Sequence, residues 1–122
     1  MPYSVSWEPE GIYRSFSGFI DGAEILDSNM KLYRDARFKG ARYIINNFSE
    51  VSGHSIDAAQ LEAFVSTDEM ISMEKHAFKL ALVVPQDEYI GLANYLCELT
   101  KHKLFEYEHF QTIEDARKWV AN

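Results

Sequence analysis

The sequence predicts a single α/β domain over residues 1–122, with a mostly parallel central sheet entered through an N-terminal hairpin. Two runs near the start alternate apolar and polar residues, the period-two mark of half-buried strands. Two later runs, Tyr43-Ile44-Ile45 and Leu80 to Val84, are apolar without alternation, as strands covered on both faces are. Segments with helix-start signals and helical spacing separate them. The element order reads β-β-α-β-α(α)-β-α-β-α, and strands that alternate with helices build parallel sheets.

Tyr3, Val5 and Trp7 fall on one face of the first run, Ser4 and Ser6 on the other. Glu8-Pro9-Glu10-Gly11 is a turn, with Pro9 fixing φ and Gly11 able to take a positive φ. Alternation resumes from Ile12 to Ile20, with Ile12, Arg14, Phe16, Gly18 and Ile20 on one face. The two runs form an antiparallel hairpin. Asp21 and Glu24 match a capping box. Leu26, Met30, Tyr33 and Ala36 follow at helical spacing, with Gly40 the expected stop.

Arg42 to Phe48 is the next strand, and Ser49 to His54 reads as a polar loop. Ser55 is the expected N-cap of the second helix, with Asp57 in its first turn and Leu61, Phe64 and Val65 as its buried stripe. Ser66-Thr67-Asp68-Glu69 repeats a start signal. A break is expected there, followed by a short helix carrying Met70, Met73 and Phe78. Lys79 to Val84 is a central strand. Pro85-Gln86-Asp87-Glu88 opens a helix whose inner face carries Tyr89, Ile90, Ala93, Leu96 and Cys97. Leu104 to Tyr107 is the last strand, and Glu106 and Glu108 mark it as a sheet edge. Thr112-Ile113-Glu114-Asp115 opens a final helix that docks through Ala116, Trp119 and Val120.

Composition narrows the function. Of 122 residues, 47% are hydrophobic and 25% charged, enough for a core without disulfides or metal staples. Twelve Lys and Arg against nineteen Asp and Glu leave a net charge of −7, which repels phosphate backbones and disfavours nucleic acid as a partner. The single cysteine excludes an intramolecular disulfide and a cysteine-based zinc cluster. His54, His76, His102 and His109 are scattered without metal-ligand spacing, so no metal or cofactor is implied. Met1 to Glu8 has no secretory pattern, and the longest apolar run is far short of the ~20 residues of a membrane helix. The expectation is a soluble cytoplasmic protein, complete as it stands, without membrane insertion. Gly-x-Ser-x-Gly, Walker and Gly-x-Gly-x-x-Gly signatures are absent, so no catalytic motif argues for an enzyme.

Two groups of residues are candidates for function. Ser49, Ser52, Gly53, His54, Ser55 and Asp57 lie between a strand and a helix, where open α/β sheets place ligand sites and a helix N-terminus offers free N–H groups. The competing reading is that Ser55 caps and His54 is solvated. An enzymatic version, with His54 as base and Ser52 or Ser55 as nucleophile, lacks an identifiable orienting acid. Phe38, Phe64, Met70, Met73 and Phe78 are the second group, read as an apolar pocket or partner face opening at the expected break. Against it stands a simply well-filled core. The acidic pairs Asp68-Glu69 and Asp87-Glu88 are explained by helix dipoles.

The order of elements, the segment from Tyr43 through Asn46-Asn47-Phe48-Ser49 and His54-Ser55-Ile56-Asp57 to Leu61, the Leu82-Val83-Val84 strand and the closing Phe110 to Val120 resemble the STAS domain of anti-sigma factor antagonists. More closely, the chain looks like the divergent SpoIIAA-like family. The resemblance covers nearly the whole chain and is one of pattern. It implies a regulatory, non-enzymatic domain that acts by binding a protein partner or itself; separately, exposed edge strands and aromatics make a homodimer an expectation. In the phosphoregulated members a serine of an Asp-Ser-Ser-Gly run accepts phosphate. That run is absent, Ile56 or Asp57 stands at its place, and Ser55 is the nearest hydroxyl. The likeness of this fold to Sec14-type lipid-binding domains implies the alternative, a carrier or sensor of a small apolar ligand such as a lipid or acyl chain.

Overall fold

A computed structural model describes residues 3–72, 78–101 and 103–121. β1 (Tyr3–Trp7) and β2 (Gly11–Ile20) form the expected antiparallel hairpin, with Trp7 opposite Ile12 and Tyr3 opposite Phe16. Contrary to the turn chemistry, Gly11 does not take a positive φ. A side chain is excluded there for another reason: a Cβ would lie 2.4 Å from the Tyr43 ring.

β3 (Tyr43–His54), β4 (Phe78–Val83) and β5 (Phe105–Phe110) follow in parallel, giving one sheet in the order β1-β2-β3-β4-β5. α1 (Gly22–Arg34), α2 (Ala58–Ser72) and α3 (Ile90–Leu99) cover one face. α4 (Ile113–Val120) packs on the other, around Ile45, Ala81, Val83 and Ala116. Ile44 and Ile45 point to opposite faces and are both fully buried, which explains their unbroken apolar run. Each such side chain contributes roughly 1.5–3 kcal/mol by leaving water.

Asp21 caps α1 by accepting the Ala23 N–H at 2.9 Å, as expected. The helix ends earlier than Gly40. Asp35 takes an extended backbone, accepts the Arg37 N–H at 2.9 Å, and starts a separate 3₁₀ turn over Ala36–Gly40. The break expected at Ser66-Thr67 is absent, because α2 runs unbroken and Thr67 bonds its hydroxyl back to the Ala63 carbonyl at 2.9 Å. Phe78 therefore belongs to β4 and not to a second short helix. A short 3₁₀ turn (Asp87–Tyr89) leads into α3. Thr112 caps α4 by accepting from the Asp115 N–H at 3.2 Å. Arg117 of α4 makes two bonds to Glu8 at 3.0 and 2.7 Å, tying this helix to the hairpin turn.

Candidate functional site

The parallel strands end together at one rim of the sheet, and the strand-to-helix candidates lie there. Ser49 to His54 is not a loop. β3 continues through it, paired with β2 as far as Ile20 opposite His54. The alternation that would have betrayed the strand is lost to register shifts between Ser15 and Ser17 and between Gly18 and Phe19. Gly18, at φ 70, supplies the backbone conformation for the second shift.

On its other side, β3 has no strand partner among the described residues beyond Asn47 opposite Val83. Gln86 replaces one. Its Nε2 donates to the carbonyls of Phe48 at 2.8 Å, Val51 at 3.0 Å and Ser49 at 3.3 Å, while its Oε1 is buried without a partner among the described residues. This residue, two positions past Val84, carried no sequence signal beyond following Pro85.

Ser55 is not the cap of α2. Its N–H donates to the Ile20 carbonyl at 3.0 Å, and the cap is Asp57. Asp57 Oδ1 accepts the Gln60 N–H at 2.8 Å and Gln60 Oε1 accepts the Asp57 N–H at 3.1 Å, a reciprocal capping box. Ser49, Ser52, Ser55 and Asp57 are exposed, and Gly53 and His54 are half-buried. His54 Nδ1 accepts the Ile56 N–H at 3.0 Å, so a neutral ring carries its proton on Nε2. The ring meets Tyr89 edge-on at 5.3 Å.

His54 also borders a cavity of about 70 Å³ between β3, α2 and α3. Val51, Ile56, Leu61, Tyr89, Leu92 and Leu96 are among its walls. Among the described residues, an apolar pocket thus lies at the strand ends, away from Phe38 and Phe78. Phe38, Phe64 and Phe78 are core, with Phe38 and Phe78 in edge contact at 6.0 Å. Met70 is 71% exposed, and Met73 lies outside the described residues.

A second polar cluster is buried under the helices. Arg14, 2% exposed, donates to Asn46 Oδ1 at 2.8 Å and to Ser28 Oγ at 3.0 Å. Asp68 is fully buried in α2 and accepts hydrogen bonds from the hydroxyls of Tyr33 and Tyr107. It does not serve a helix start. Burial raises its pKa to about 6, against the opposing pull of both phenols and of Arg14. Burial likewise holds both tyrosines well above the ordinary phenol range. Cys97 is half-buried, and burial pushes its thiol up to about 12, an inert state. No three His, Cys, Asp or Glu gather into a metal site among the described residues. No described helix is long and apolar enough to cross a membrane.

No family model matches the chain, and no curated protein matches it. Solved structures do. The anti-sigma factor antagonist SpoIIAA in its unphosphorylated form superposes with a TM-score of 0.63, over 98% of this chain and 98% of that one, at 14% identity. The fold is SpoIIAA-like. An uncharacterized protein of the DUF3478 family from Shewanella loihica PV-4, itself described as SpoIIAA-like in fold, superposes with a TM-score of 0.57 over 97% of this chain and 91% of its own, at 10% identity. At these identities the likeness is one of fold. It bears out the α/β class, the hairpin entry and the mostly parallel sheet expected from the sequence. On the SpoIIAA-like frame, the capping box at Asp57 and the His54 cavity share the rim formed by the carboxyl ends of the parallel strands.

Proposed function

We propose that the chain is a non-enzymatic regulatory domain of STAS type that binds a protein partner at the carboxyl rim of its sheet. The observation that carries the reading is the small apolar cavity beside the start of α2, bordered by His54 and flanked by exposed Ser52, Ser55 and Asp57. One aliphatic side chain of a partner fits such a cavity, and the surrounding polar groups orient it, as hot-spot pockets do. Asp57 offers no hydroxyl and is already engaged in capping. On this reading, partner binding is therefore not switched by phosphate at that position. His54, Ser52 and Ser55 act as contacts and not as catalytic groups, since no acid orients the imidazole among the described residues. The domain extends over residues 1–122 and works in the cytoplasm.

The second reading, a carrier or sensor of a small apolar ligand, draws on the same cavity. A cavity of ~150 Å³ holds benzene. About 70 Å³ is half of that, so the space takes only a few carbon atoms, and the rest of a lipid or acyl chain would have to lie outside it.

Native mass spectrometry of the protein purified gently from its own host tests both. A co-purifying chain, lost when Leu92→Trp fills the cavity, supports the partner reading. An apolar adduct released on denaturation supports the ligand reading. Turnover of a substrate that a His54→Ala or Ser55→Ala change abolishes overturns both.

A further inference from the structure

The two edges of the sheet are not alike. β5 carries Glu106 and Glu108, the kind of charge that keeps an edge from pairing with other chains. β1 carries none: Tyr3-Ser4-Val5-Ser6-Trp7 has no charge, no proline and no bulge against β2. Which backbone groups it offers follows from the hairpin. The Glu8 N–H donates to the Gly11 carbonyl at 2.8 Å, in register with the rest of the ladder. Antiparallel pairs alternate between hydrogen-bonded and non-bonded. Ser6 with Tyr13 and Ser4 with Ser15 are therefore the bonded pairs, and the N–H and C=O of Tyr3, Val5 and Trp7 point away from β2, into the open edge.

We infer that β1 pairs antiparallel with β1 of a second copy, about a two-fold axis at Val5, joining two five-stranded sheets into one. That register sets Val5 opposite Val5 and Tyr3 opposite Trp7 of the second copy, so all six outward backbone groups find partners. It sets Ser4 opposite Ser6 on the reverse face and aromatic rings beside the two valines on the other, both favourable cross-strand pairs. Val5 is exposed and Tyr3 and Trp7 are only half-buried, so the contact removes their apolar surface from water. Charge does not oppose this register. Each chain has a net charge of −7, yet Glu8 of one copy lies about 20 Å along the strands from Glu8 of the other, because a six-residue offset at ~3.3 Å per residue separates them. The dimer edge is distinct from the partner rim and does not depend on it.

Light scattering on the full chain tests the inference, with Val5→Pro and Val5→Lys alongside. Val5→Pro removes an N–H that the hairpin does not use. Val5→Lys sets like charges face to face at the axis. At about 100 µM, where a dimer of that Kd or tighter is populated, the wild type should weigh twice 14.1 kDa. Both variants should weigh 14.1 kDa with an unchanged circular dichroism spectrum. If Val5→Pro disturbs the strand, Val5→Lys decides, since position 5 is solvent-exposed in the single chain. A monomeric wild type, or a dimer that survives Val5→Lys, overturns the inference.

Discussion

The Tyr107 hydroxyl donates to the Asp68 carboxylate across the gap between β5 and α2, with both groups out of reach of water. Tyr33 of α1 donates to the second oxygen. Three elements thus converge on one carboxylate, which with Arg14, Asn46 and Ser28 forms a polar centre inside an apolar layer. Such centres are costly to leave half-satisfied.

This carboxylate gives stability a defined pH dependence. Its folded pKa of about 6 exceeds the usual 3.8. The folded state therefore binds the proton more tightly, and the contribution is complete below about pH 4 and lost as pH rises through about 6. The difference corresponds to about 3 kcal/mol. Glu8 acts in the opposite sense, since its bonds to Arg117 lower its pKa. Thermal melts between pH 4 and 7 should show Asp68→Asn flattening this fall relative to wild type, and equal slopes in both proteins would exclude the assignment.

Gln86 stands in for a strand. Gln86→Ala removes the donor from three carbonyls and should cost about 1–3 kcal/mol in urea unfolding. Amide exchange should accelerate between Ser49 and His54 before the rest of the sheet. Unchanged exchange there would mean that the β2 ladder alone holds the segment.

Gly11 is required by contact and not by φ. Gly11→Ala should destabilise by about 1–3 kcal/mol through its clash with the Tyr43 ring. In a double-mutant cycle the penalty should shrink in a Tyr43→Ala background. A penalty independent of Tyr43 would point to the backbone instead.

Much of the fold was legible because local and tertiary demands agree in β1, β2, α1 and α4, where alternation or a cap sits where the structure uses it. Period two sets Arg14 on one face with Ile12, Phe16 and Ile20, but that this face is buried, and that Asn46 and Ser28, 32 and 14 residues away, supply the bonds that permit it, only the structure tells. The failures have one cause. Ser49 to His54 has loop composition but is held by β2 and by Gln86. Ser66-Thr67-Asp68-Glu69 has the composition of a helix start, but Tyr33 and Tyr107 give Asp68 a tertiary role that no local pattern encodes. The cavity at His54 was half-legible: its strand end was marked, while Tyr89, Leu92 and Leu96 read only as the inner face of a helix.

On the proposed function, the rim around His54 binds a protein partner. A photo-crosslinking residue at Ser52 and, in a separate protein, at Glu114 on α4 tests it most directly in the native host. The account predicts one dominant adduct from position 52, absent from position 114, to a protein that binds the purified wild type and binds Leu92→Trp at least tenfold more weakly. Equal adducts from both positions, or undiminished binding by Leu92→Trp, would contradict it.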